Sequence, residues 1–85
     1  VSYEEWKDNY GYLSNLWLDE KGNHSRIDGP AFIQYFPDGS IYIENFYIAG
    51  SFLGQGKRGF WMLWDRLTEE ERQAPDLLKY LVRFS

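Results

Sequence analysis

Ala31-Phe32-Ile33-Gln34-Tyr35-Phe36, then Pro37-Asp38-Gly39, then Ser40-Ile41-Tyr42-Ile43-Glu44-Asn45-Phe46-Tyr47-Ile48 is the stretch that decides the fold. Two runs rich in β-branched and aromatic residues flank a turn in which Pro37 presets φ and Gly39 accepts the left-handed position. Such a short connection returns the chain antiparallel, because a parallel return needs a crossover of about a dozen residues or more. Upstream, Tyr12 to Leu18 reads as an earlier strand, ended by Asp19-Glu20-Lys21-Gly22-Asn23, where Gly22 or Asn23 can take a positive φ. Residues 12 to 50 are therefore expected to form a small antiparallel meander of about three strands, closing at Ala49-Gly50. Along the last strand, Ile41, Ile43, Asn45 and Tyr47 alternate with Tyr42, Glu44, Phe46 and Ile48. Both sets carry apolar bulk, so one face is expected to pack on helices and the other to be only partly covered.

The flanks read differently. Ser2-Tyr3-Glu4-Glu5 has the spacing of a capping box, so residues 1 to 11 are expected to form a short helix or an irregular lead-in. Residues 51 to 59 hold three glycines with Lys57 and Arg58 between them and read as a flexible loop. From Phe60 the period becomes helical: Phe60, Leu63, Trp64 and Leu67 form one stripe. Thr68-Glu69-Glu70-Glu71 offers another capping box, and Pro75 suits the first turn of a final helix whose apolar side is Leu77, Leu78, Tyr80, Leu81 and Phe84. The fold class is α+β, a meander capped by C-terminal helices within one domain spanning residues 1–85.

Composition narrows the function. Eighty-five residues support a single core, yet four Trp, seven Tyr and six Phe are more rings than so small a domain encloses, and surplus rings favour partner contact. A net charge of −4 argues against direct nucleic-acid binding, which needs a basic excess. The absence of cysteine excludes disulfides and thiolate metal sites and fits a reducing compartment. There is neither an apolar run of membrane-spanning length nor a signal-peptide pattern at the start, so a cytoplasmic protein without membrane contact is expected.

No motif carries chemistry. His24, Ser25 and Asp28 lie too close along the chain to converge as a triad, and one histidine without cysteine is a poor zinc site. Gly54-Gln55-Gly56-Lys57-Arg58-Gly59 has dinucleotide-loop spacing but lacks the parallel βαβ unit and the downstream acid that this function requires. Glu69 to Glu71, with Asp65 nearby, suit a helix start better than an acid–base pair, and Trp61 and Trp64 suit a core. A non-enzymatic chain with no metal and no cofactor is expected.

Gly22-Asn23-His24-Ser25-Arg26-Ile27-Asp28-Gly29-Pro30-Ala31, Tyr35-Phe36-Pro37-Asp38-Gly39-Ser40 and Glu44-Asn45-Phe46-Tyr47-Ile48-Ala49-Gly50 together resemble a MORN-like repeat of the His-Arg-x-Asp-Gly-Pro-Ala type. Ser25 interrupts the His-Arg pair, and Ser51-Phe52-Leu53-Gly54 replaces the start of a next unit. The chain thus resembles a protein with a single degenerate repeat, over residues 17 to 50. The resemblance implies a hairpin scaffold used for contacts and an origin in phage or prophage, hence the host-cell cytoplasm. Within it His24, Arg26, Asp28, Gly29 and Pro30 shape a turn: Gly29 before Pro30 permits tight re-entry, and Asp28 can pair with Arg26.

The expected function is binding of a protein partner, with Tyr35, Tyr42, Tyr47, Lys57 and Arg58 as contact residues. Homo-oligomerisation through the open sheet edge is compatible with it. The alternative is an acidic inhibitor that mimics nucleic acid and blocks a nucleic-acid-binding protein.

Overall fold

The computed structural model describes residues 2–85. Five strands form one antiparallel sheet in chain order: β1 (Ser2–Lys7), β2 (Leu13–Leu18), β3 (Phe32–Tyr35), β4 (Ile41–Ile48) and β5 (Ser51–Gln55). Two helices follow, α1 (Gly56–Arg66) and α2 (Pro75–Phe84), separated by a 3-10 turn at Glu71–Gln73. The expectation of about three strands is corrected to five.

Both extra strands come from misread flanks. At the N-terminus a helix over Ser2 to Glu5 has no apolar stripe to bury, whereas a strand satisfies its backbone against β2 and sets the Tyr3 ring 4.8 Å from Trp17. The segment from 51 to 55 is a strand because Ala49 and Gly50 both take positive φ, 48° and 85°, and so form a two-residue hairpin turn. The remaining hairpin-type turns share one design. In Asp8–Tyr12, Asp19–Asn23 and Phe36–Ser40, the first N–H donates to the fifth carbonyl and the fourth N–H donates to the first carbonyl. That fourth residue is Gly11, Gly22 or Gly39, at φ 82–89°. Carboxylates tighten each turn: Asp8 and Asp19 accept two backbone amides apiece, and Asp38 accepts from the Ser40 hydroxyl and amide, which holds its carboxyl below the ordinary range.

Strand pairing assigns the two sheet faces, since directly opposed residues point to the same side. Ile33, Glu44, Phe46 and Gly54 share the helical side. There Phe46 joins Phe60, Leu63, Leu67, Leu77 and Tyr80 in the buried core. Edge-on rings lock it, with Phe46 at 6.2 Å from Phe60 and 6.3 Å from Tyr80. Burial pushes the Tyr80 hydroxyl pKa up. Glu44, also buried, is held by an ion pair from Arg83 of α2.

The Thr68–Glu71 box forms as the spacing predicts: Thr68 N–H donates to Glu71 Oε1 at 2.8 Å, and Glu71 N–H donates to Thr68 Oγ1 at 3.1 Å. It organises the 3-10 turn, and α2 starts separately at Pro75. Arg72 closes the end of α1 by donating twice to the Trp64 carbonyl, at 3.1 and 3.0 Å.

α1 leans on β4 and β5 through the backbone itself. A Cβ at Gly59 would lie 2.2 Å from the Gly54 carbonyl oxygen, and one at Gly54 would lie 2.9 Å from Gly59 Cα. Gly59→Ala is therefore expected to lower stability by about 3 kcal/mol in chemical denaturation, since backbone cannot yield as a side chain can. Ala49→Asn, at a positive φ where alanine is disfavoured and asparagine tolerated, is expected to raise stability by about 0.5–1 kcal/mol in the same measurement.

Candidate interaction face

The helices pack on one side of the sheet, α1 against β4 and β5, and leave the other side without a second layer, so the Cα envelope is only 20 Å thick in its shortest dimension. By strand register the open side carries Glu4 and Trp6 from β1, Ser14, Leu16 and Leu18 from β2, and Phe32 and Gln34 from β3. Ile43, Asn45 and Tyr47 from β4 and Phe52 and Gln55 from β5 complete it. Among the described strand residues on this side, Glu4 is the one charged side chain.

The rings are organised. Trp6 and Phe32 lie 6.5 Å apart, and Tyr47 meets Phe52 at 5.3 Å. His24 presents its ring edge-on to Tyr47 at 4.9 Å. Trp6 and Phe52 are about half exposed, at 46% and 57%. Gln34 Nε2 donates to the buried Ser14 Oγ at 3.4 Å, which gives the central polar pair partners within the sheet.

The loop from His24 to Ala31 closes one end of the sheet, with His24 beside Tyr47 on the open side and Arg26 on the helical side near Tyr80. β3 is only four residues long, and the main chain of His24 to Arg26 fills the rung it leaves between β2 and β4. Ser25 N–H donates to the Trp17 carbonyl, Arg26 N–H to the Tyr47 carbonyl, and Gly50 N–H to the His24 carbonyl. Ser25 Oγ accepts the Ala49 amide at 3.0 Å. The Arg26 guanidinium lies 3.9 Å over the Trp17 ring while donating to Asp28 Oδ1 at 2.8 Å and to the Pro30 carbonyl at 3.1 Å. Gly29 runs beneath it: a Cβ there would sit 2.8 Å from the guanidinium carbon and 3.1 Å from the Tyr80 ring. Pro30 and Ala31 are buried behind the loop. His24, Ser25 and Asp28 are thus engaged with three different neighbours.

The five contact residues read from the sequence do not form one surface. Tyr47 lies on the open face. Tyr42 is the extra residue of a bulge, skipped where Gln34 pairs with Ile43 and Tyr35 with Ile41, and its ring joins Phe36 at 4.7 Å and Tyr12 at 6.0 Å. The bulge interrupts the simple alternation along β4. Tyr35 points to the helical side, where its hydroxyl accepts from Asn15 Nδ2 at 3.4 Å. Lys57 and Arg58 stand exposed in the first turn of α1. Sequence reasoning missed Trp6, Phe32 and Phe52. Period-two alternation in Ser2–Lys7 and the tight turn before Ser51 were the signals available.

Gly54-Gln55-Gly56-Lys57-Arg58-Gly59 does bridge a strand and a helix. Its outer glycines are taken up by the contact between β5 and α1. A depression of about 400 Å³ beside the loop is lined by Trp17, Arg26, Asp28 and Asp76. No group of three or more His, Asp or Glu side chains among the described residues is arranged to hold a metal ion. No helix among them is long and apolar enough to cross a membrane. No protein-family model, curated protein or solved structure matches the chain.

Arg26→Lys keeps the charge but loses the flat ring stack and the forked donation that hold the loop. Its expected cost is about 2 kcal/mol in urea denaturation, and an unchanged midpoint contradicts the clasp.

Proposed function

We propose that the chain is a non-catalytic protein-interaction module that binds a protein partner through the open face of its sheet, as a phage or prophage accessory protein. The observation that carries this reading is the composition of that face. An antiparallel sheet side meant for water alternates toward polar and charged residues, whereas this one presents Trp6, Leu16, Leu18, Phe32, Ile43, Tyr47 and Phe52 with a single carboxylate. Charge-depleted surfaces rich in aromatic rings are the composition of interface cores. Tyr47 is the residue shared by this face and the contact set read from the sequence.

The alternative of a nucleic-acid mimic draws less support. Asp8, Asp19 and Asp38 are committed to turns, and Asp28 and Glu44 to ion pairs, so these five carboxylates are not free to imitate a phosphate row.

The test is photo-crosslinking in cells that express the chain with p-benzoylphenylalanine in place of Phe52, or of Leu78, which is exposed on α2. A covalent protein adduct from position 52 and none from position 78 is the expected result. Failure of position 52 to capture any protein, the chain itself included, overturns the reading.

A further inference from the structure

We infer that the protein bound by the open sheet face is a second copy of this chain, the two sheets stacking face to face with the helices outermost. The inference rests on the reading of that face as a protein-binding surface and names its occupant.

Two observations support it. The first is charge. The chain carries a net −4, yet its open face holds only Glu4, on the edge strand. A second copy meets this face with the charges of both chains directed away from the contact, so self-repulsion there is small. A different partner selected by electrostatic complementarity would find almost nothing on this face to read.

The second is layering. An antiparallel sheet leaves a face to water when that face is polar, but this one carries rings and aliphatic side chains, and an identical sheet at about 10 Å covers them as a β-sandwich. The arrangement is isologous, with a two-fold axis near Phe32 on the central strand β3. Apolar Leu16, Phe32 and Ile43 then lie at the centre. Glu4 and Gln55, on the outer strands, fall at the rim.

Size sets the strength of the contact. Five strands about 4.8 Å apart, each contributing about six residues at roughly 3.4 Å, project a face about 20 Å on a side. At about 400 Å² projected per partner this is less than the roughly 600–1,000 Å² of a strongly held interface, so the dimer is expected to dissociate on dilution.

Sedimentation equilibrium of the full chain at several concentrations tests this directly. At the highest concentrations the expected species is twice the 10.2 kDa monomer. Ile43→Lys places a charge at the centre of the stacked sheets and is expected to weaken the dimer by about a hundredfold or more. Phe52→Lys, nearer the rim and exposed in the monomer, guards against misfolding of the first variant and should also yield monomer, with far-ultraviolet circular dichroism unchanged. Leu78→Lys on the outer side of α2 should leave the dimer intact. A monomer at every concentration overturns the inference, and so does a dimer lost with Leu78→Lys but kept with both sheet variants. Crosslinking from position 52 to a different protein also sinks self-association while leaving the open face as a protein-binding surface.

Discussion

The approach of Gly54 to Gly59 is the constraint on which the remaining architecture depends. With no Cβ on either residue, the first turn of α1 rests on the backbone of β5, closer than any side chain would allow. That contact fixes the side of the sheet on which the helices lie. Phe60 and Leu63 are then delivered onto Phe46, and α2 follows with Tyr80 and Arg83. The buried Glu44 is tolerable only because α2 arrives in the register that pairs it with Arg83. Strand, helix and ion pair are therefore consequences of one steric permission.

Committing the helices to one side divides the chain's chemistry. The helical side takes Glu5, Lys7 and Glu44 among the strand residues, and the open side takes Trp6, Phe32, Tyr47 and Phe52 with Glu4 as its one charge. Arg26 completes the division at one end. It holds the loop from residue 24 to 31 against Trp17 and lets its main chain stand in for the missing length of β3. Residues that read as a sequence motif, Arg26, Asp28, Gly29 and Pro30, are thereby accounted for by packing and hydrogen bonding.

Turn chemistry was the most legible part of the sequence. Pro37-Asp38-Gly39 and the Asp19–Asn23 segment each announce a reversal through residues whose backbone preferences are strong and local, and the Thr68–Glu71 capping box was equally readable. The strands at the two ends were not. Ser2–Glu5 satisfies a helix-capping pattern and a strand pattern alike, and only the tertiary opportunity to pair with β2 separates them. The glycines between 50 and 59 signal flexibility when counted, but three of them are fixed by position, Gly50 in a turn and Gly54 and Gly59 at a close backbone approach. For the face, exposed rings were foreseeable from composition. Their grouping was not, because it depends on register and on the bulge at Tyr42, which a single-residue slip would invert.

In the sheet each strand bonds only to strands adjacent to it along the chain, with no crossover anywhere in the order. Three of the four ladders therefore close over turns of two or five residues, and only the β2–β3 ladder closes over a longer segment, residues 19–31, so little chain entropy is lost before most pairings are rewarded. As a ribosome releases this chain from its N-terminus, each new strand finds its partner already emerged. The side of the sheet that carries Phe46 is sealed last, once α1 and α2 have emerged with Phe60, Leu63 and Tyr80.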